Sequence, residues 1–280
     1  MGYLRGVKNY LTVLLVLIFA AATPTLHAQD GVFPTVDARS RFLGGTGLNA
    51  RGLDAVWTNP AGLGNLATGD MGGAAGAEQR WGIAELRGAN LGAVYGTGFG
   101  GFGLQLASFG FSSYRENRFG ISYGRRVLDR LTIGAEFAGF SITTEGYAST
   151  FDVTFGVGAQ LQVIDELAVG MRIFSPLRSE RITEEYLPQV LSLGVQYQPT
   201  DQLLINLEAE QNSEYPVRFR AGLEYLPVEV VSIRLGVVTA ASELSFGLGY
   251  EVLENLEISA GASYHEILGL SPAFGLRYIP

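Results

Sequence analysis

From about residue 88 to its end the chain is written in short runs that alternate apolar and polar residues, and few folds tolerate that pattern over so many runs. Leu203, Ile205 and Leu207 alternate with Leu204, Asn206 and Glu208; Val217, Phe219, Ala221, Leu223 and Tyr225 alternate with Arg218, Arg220, Gly222 and Glu224. Leu244, Phe246, Leu248 and Tyr250 interleave with Ser245, Gly247, Gly249 and Glu251. A period of two sends successive side chains to opposite faces of a strand. One face here is apolar and often ends in an aromatic, while the other carries Gly, Ser, Thr and charges of both signs. A soluble sandwich would turn its polar face to water and enrich it in Lys and Glu. This chain has a single lysine, Lys8, and only 16% charged residues against about 25% in ordinary soluble domains. An apolar outer face around a crowded, Gly-rich interior is the pattern of a membrane β-barrel.

The first residues point to export. Arg5 and Lys8 precede the apolar run Leu11–Ala22, and Thr23–Ala28 closes it with a breaker-rich stretch ending in a small residue. That is the layout of a secretory leader, with cleavage expected after Ala28. The apolar core of about 12 residues is too short to span a bilayer, which takes roughly 20. Beyond residue 28 every apolar run is cut by Gly or a charge, so a closed barrel is the remaining route across a membrane. Losing Arg5 and Lys8 with the leader takes the formal charge from -8 to -10, which argues against a nucleic-acid partner. The absence of Cys excludes disulfides, thiolate metal sites, thiol nucleophiles and a lipoprotein anchor. Mean hydropathy of +0.20 is high for a soluble surface and low for a helical bundle.

A turn motif recurs at Val127–Leu131, Val163–Leu167, Pro199–Leu203 and Val252–Leu256, with Asp129, Asp165 and Asp201 spaced 36 positions apart. Each motif is a tight link between strands, and the period is one hairpin plus a longer link. Tight links are expected on the periplasmic side and the longer ones, near 111–117, 144–149, 177–187, 211–216, 239–242 and 265–271, on the outer side. Strands are expected near 71–79, 88–96, 101–110, 117–126, 130–143, 148–162, 166–176, 188–198, 202–210, 216–226, 229–238, 242–252, 255–264 and 271–279. Fourteen is an even count, which returns both ends of the barrel to one side. Phe274, Leu276 and Tyr278 place an aromatic near the C-terminus, like the terminal signal of such barrels, although Pro280 departs from it.

Residues 29–68 do not alternate. They are rich in Gly, Ala and Asn and too polar to face lipid, so they belong in the periplasm or inside the barrel. Within them, DARSRFLGGTGLNARGLDAVWTNPAGLGNL at 37–66 resembles the N-terminal signature of the FadL and PorV/PorQ families of outer-membrane proteins, through Ala38–Arg39, Gly44–Gly45 and Asn59–Leu63. The resemblance implies that 29–68 is a plug or hatch, between the leader expected at 1–28 and the transmembrane barrel expected at 69–280. The chain departs from fatty-acid transporters in lacking the long outer extensions that build an extracellular ligand pocket. A physical reason can be given for the motif. Pro60 fixes its φ and biases Asn59 to an extended shape. Asn59 bonds nearby backbone groups, and Gly62 and Gly64 allow tight turning; Ala61 and Leu63 belong to the same motif.

Catalytic chemistry finds little support. Gly96–Gly101 has the spacing of a dinucleotide fingerprint, but a strand follows it where a helix is needed, so it reads as a turn. His265 is the single histidine beyond the leader and is expected in a loop, with Ser263 pointing to the lumen, so neither a metal site nor a Ser–His pair is expected. No cofactor is implied. Charged and polar residues expected to line the lumen are Glu136, Asp152, Arg172, Asn206, Glu208, Glu210, Arg218, Arg220, Glu224 and Arg234. Those on neighbouring strands are expected to pair, because each is costly unpaired in a crowded interior. Two functions follow from the resemblance. One is passage of small hydrophobic compounds across the outer membrane. The other is a non-transporting accessory or scaffold of an outer-membrane machine such as type IX secretion. The expected partners are outer-membrane lipid, hydrophobic small molecules, and other outer-membrane or periplasmic proteins.

Overall fold

The computed structural model describes residues 37–175, 188–213, 215–239 and 242–280; the expected leader, residues 29–36 of the expected plug and the whole of the 177–187 link lie outside them. Among the described residues fourteen strands close into one antiparallel barrel in which each strand pairs with its chain neighbours and β1 pairs with β14. The strands are β1 (Met71–Gln79), β2 (Arg87–Thr97), β3 (Gly100–Gly110), β4 (Tyr114–Leu128), β5 (Leu131–Thr144), β6 (Thr150–Ile164) and β7 (Leu167–Phe174). They continue as β8 (Val190–Thr200), β9 (Leu203–Asn212), β10 (Tyr215–Val228), β11 (Val231–Val238), β12 (Glu243–Leu253), β13 (Leu256–His265) and β14 (Gly269–Tyr278). The strand count agrees with the sequence reading. Some ends differ: β4 starts three residues earlier and runs two further than expected, and β14 starts at Gly269. His265 is a correction, since it ends β13 instead of lying in a loop.

The wall is inside out relative to a soluble protein. On β12 the outward Leu244, Phe246, Leu248 and Tyr250 are 53–59% exposed, whereas the inward Ser245 is 4% exposed. Isolated exposed hydrophobics are ordinary, but a continuous apolar face around a barrel is made for lipid. Tyr95, Tyr123, Tyr197, Tyr225, Tyr250 and Tyr278 all lie near the same rim, on the outer face, and form an aromatic girdle there.

That rim carries the tight links. Residues 98–99, 129–130, 165–166, 201–202, 229–230 and 254–255 are two-residue connections. At each recurrence of the turn motif the strand register shifts, for example between Arg126 and Leu128 and between Gln162 and Ile164. Such bulges raise local twist and fix the register of the hairpin. The Gly96–Gly101 stretch is the end of β2, the 98–99 turn and the start of β3. The opposite rim carries the longer links.

Before β1, residues 37–68 lie within the ring of strands. They form α1 (Ala38–Phe42), a 3-10 turn at Gly52–Asp54, α2 (Ala55–Thr58) and a 3-10 stretch at Pro60–Asn65. Phe42, Leu43, Ala55, Ala61 and Leu63 are at most 1% exposed. Leu53, Ala55, Val56, Trp57 and Leu63 make a small apolar core with Val94 of β2.

Candidate functional site

The lumen is organised around this N-terminal segment. Thirteen of the fourteen strands carry a glycine whose missing Cβ would come within 4 Å of it. The contacts follow the chain around the inner wall. A Cβ at Gly275 of β14 would lie 2.6 Å from Ala38, and one at Gly247 of β12 would lie 2.2 Å from Phe42. Further round, Gly236 of β11 faces Gly44 at 2.0 Å, Gly158 of β6 faces Asn59 Oδ1 at 1.9 Å, and Gly134 of β5 faces the Pro60 carbonyl carbon at 2.3 Å. Gly92 of β2 faces the Trp57 ring at 2.2 Å. The exception is β9, which presents Asn206 and Glu208. The polar face of the wall is rich in glycine because a second layer of backbone lies against it at van der Waals distance, and any side chain would displace it.

The Asn59–Leu63 motif sits at the centre of this circuit. Asn59 is 0% exposed and extended, at φ -152 and ψ 112, as expected of a residue before proline. Its Oδ1 accepts from the Ala61 N–H at 3.1 Å, and its Nδ2 donates to the Leu48 carbonyl at 2.9 Å and more weakly to Met171 at 3.3 Å. One amide thus caps the 3-10 stretch and ties it to the preceding loop and to β7. Pro60 occupies the first helical position, where its missing N–H costs nothing. Gly62 and Gly64 need a different explanation from the expected one. Neither has a positive φ; a Cβ at Gly62 would lie 2.1 Å from the Ala50 carbonyl oxygen, and one at Gly64 2.6 Å from the Arg125 backbone. They serve close approach, and the turning is done by Gly44 and Gly45, at φ 70 and 74.

Ion pairs and hydrogen bonds hold the segment to the wall. Arg39 grips Glu224 of β10 with two hydrogen bonds of 2.9 and 2.8 Å and donates to Asp54 at 3.0 Å. Glu224 also accepts from Arg234 of β11 at 2.6 Å, and Arg234 reaches Glu257 at 2.7 Å. Arg277 of β14 closes the ring by pairing with Asp54 at 3.0 Å. Arg41 pairs with Glu78 and, at 3.8 Å, with Glu243. Glu208 accepts the Gly47 and Leu48 N–H groups, both at 2.7 Å. Asn206 donates to Thr46, and Gln160 of β6 donates to the Leu48 and Ala50 carbonyls at 3.0 and 2.9 Å. Asp37 caps α1 by accepting from the Ser40 N–H, and burial together with the nearby Asp54 carboxylate holds its own carboxyl above the usual range.

A second cluster lies away from the segment. Glu136 of β5, 4% exposed, accepts from Arg118 of β4 at 3.0 Å and from Arg172 of β7 at 2.9 Å. The Arg118 guanidinium stands 5.3 and 5.1 Å over the rings of Phe140 and Phe174, and Arg172 stands 4.9 Å over Phe174.

The expected cross-strand pairing is therefore redrawn. Glu208 faces Arg220 and Glu210 faces Arg218 in register, yet Arg220 pairs diagonally with Glu210 at 2.7 Å, leaving Glu208 to the segment. Glu224 pairs with Arg234 across β10 and β11 as register requires, and with Arg39 as well. Asp152 of β6 stands opposite Phe140 of β5 in register. Arg41, Asp54, Arg118, Gln160, Glu257 and Arg277 carry no sequence expectation, and Arg39 stood there only as part of the family signature, not as a partner of the wall. Arg118, Gln160, Glu257 and Arg277 stand on alternating strands and were open to detection by that pattern; Arg39, Arg41 and Asp54 lie in the segment that does not alternate. Ser263 is 2% exposed, while His265 Nδ1 accepts from the Ile267 and Leu268 N–H groups and is committed to the turn. Among the described residues no group of His, Asp or Glu is arranged to hold a metal ion.

No protein-family model matches the chain, and no curated protein matches it. Solved structures do. The CymD monoaromatic hydrocarbon channel superposes with a TM-score of 0.68 at 13% identity, covering 89% of this chain and 99% of that one. A Pseudomonas aeruginosa FadL homologue gives 0.67 at 12% identity, covering 89% and 99%. The Pseudomonas putida toluene transporter TodX gives 0.67 at 13% identity, covering 90% and 98%. Identity this low speaks to fold, and in fold this chain is a FadL-like fourteen-stranded β-barrel.

Proposed function

We propose that the chain is an outer-membrane barrel for the passage of small hydrophobic compounds, with residues 29–68 as its hatch, 69–280 as the spanning barrel, and 1–28 as the leader that exports it. The observation that carries this reading is how the segment is held. It sits on a track of glycines and is fastened by side-chain ion pairs such as Arg39–Glu224, with small apolar clusters that it shares with Val94 and Ala273 of the wall. A rigid, permanently filled lumen is more simply made by large wall side chains. An insert seated on a track of glycines and held by side-chain latches is suited to moving as a unit. Two proteins that share the fold, a monoaromatic hydrocarbon channel and a toluene transporter, agree with a hydrophobic cargo. The long-link rim is taken to face outward and the tight-link rim inward.

The test is uptake of a monoaromatic hydrocarbon by liposomes carrying the barrel, with and without residues 29–68. Uptake by the intact protein, and ion conductance after the deletion, are expected. Absence of both, in a barrel shown to be folded, would end the transport reading.

A second reading, an accessory barrel of a secretion machine, is favoured by the occupied lumen and the six two-residue links. Mild-detergent pull-down separates the two, because recovery as a lone protein speaks against an accessory role.

A further inference from the structure

Outward-facing charge is scarce on this wall, and two cations stand together at the long-link rim. Arg87 opens β2 and Arg115 lies at the start of β4, both exposed. Each stands level with Gly110 of β3, Arg115 by direct register and Arg87 by continuation of the Gly88–Phe109 pairing. Two strand spacings separate them, about 10 Å. Neither forms an ion pair among the described residues, whereas Arg39, Arg41, Arg118, Arg172, Arg220, Arg234 and Arg277 all do.

The surface beneath them is concave. A cavity of about 560 Å³ is lined by Arg87, Arg115, Ser108, Ala77, Ala89 and Phe274, among others. By register the rows descend from the arginines to Ser108 and Asn117 and then to Leu91, Leu106 and Phe119. Positive charge, then hydroxyl and amide, then hydrocarbon is the order of a phospholipid or phosphoglycolipid read from headgroup to chain. Two guanidinium groups about 10 Å apart match a ligand with more than one phosphate, since arginine forms paired hydrogen bonds to phosphate oxygens. Ala77 and Ala89 leave room at the wall for an acyl chain beside the Phe274 ring.

We propose that this outer face of β1–β4 is a binding site for a phosphorylated, acylated lipid of the outward leaflet, with Arg87 and Arg115 holding its phosphates. The proposal rests on the outward orientation of the long-link rim and is independent of whether the barrel transports anything.

The folded full barrel, purified in detergent, would be titrated with bis-phosphorylated lipid A and with the same glycolipid stripped of phosphate, with occupancy read by native mass spectrometry. One phosphorylated lipid per barrel is expected, bound roughly thirtyfold more weakly by the Arg87→Gln/Arg115→Gln protein. Arg87→Lys/Arg115→Lys should recover most of the affinity, and Arg125→Gln, an exposed charge at the opposite rim, should leave it unchanged. Heat-dependent gel mobility establishes that each variant is folded. Equal binding by the double Gln variant, or equal binding of the phosphate-free glycolipid, overturns the proposal. Liposome uptake is scored separately, so loss of transport without loss of lipid binding counts against the transport reading alone.

Discussion

Glu136 and Glu224 are both buried carboxylates bridging two arginines, and they do different jobs. Glu136 is held by Arg118 and Arg172, which come from β4 and β7, so its network fastens wall to wall. Glu224 is held by Arg234 of the wall and by Arg39 of the N-terminal segment, so half of its network belongs to the insert. The contrast separates what keeps the barrel round from what keeps its lumen occupied. Gly134 sharpens it, because it sits two residues before Glu136 on the same face of β5 and touches Pro60 instead of an arginine.

The largest effect is expected at that glycine. In Gly134→Val the new Cβ would stand 2.3 Å from the Pro60 carbonyl carbon, so the segment must leave its seat. Trypsin should then cut at Arg39 and Arg41, which are partly buried in the intact protein and expected to resist it, while heat-dependent gel mobility still reports a closed barrel. Retained protection would show that the glycine track does not seat the segment. Next comes Glu136→Gln, which strips two buried arginines of their shared anion. A loss of about 3–5 kcal/mol in barrel unfolding by urea in micelles is expected, with cleavage at Arg39 unchanged. Glu224→Gln should do the reverse: about 1–3 kcal/mol weaker docking of the segment, seen in hydrogen exchange of residues 38–48, and little change in barrel unfolding. It is the milder change because Arg39 keeps Asp54 and Arg234 keeps Glu257. If both Glu variants behave alike, the two networks are not separable. Asn59→Ala is the smallest, about 1 kcal/mol of docking, since Gln160 still donates to the Leu48 carbonyl.

The wall was readable because its physics is local. Alternation over eight to fifteen residues fixes which way Leu248 and Gly249 point, and the recurring motif around Asp129, Asp165 and Asp201 fixes where the chain turns. Even β1, whose Gly72–Gly76 stretch carries almost no pattern, was bounded by the segments on either side. The segment was not readable in the same way. Arg39 meets Glu224 across 185 residues of sequence, and no period connects them. Glycines 134, 158 and 236 were visible as a Gly-rich face, but what filled the space beside them could not be inferred from the strands alone. Gly62 shows the same limit: a glycine needed for close approach looks, in sequence, like a glycine needed for a turn.

The segment joins β1 through Gly69, at φ 94, and Asp70, whose carboxylate accepts from the Ala67 N–H at 2.7 Å. The link between insert and wall is thus only a few residues long. A hatch that left its seat would stay at millimolar effective concentration beside it, as for any partner on a short tether. Reclosure would then be a first-order event, indifferent to how many barrels the membrane holds, and weakening single latches would change how long the lumen stays open far more than whether it shuts again.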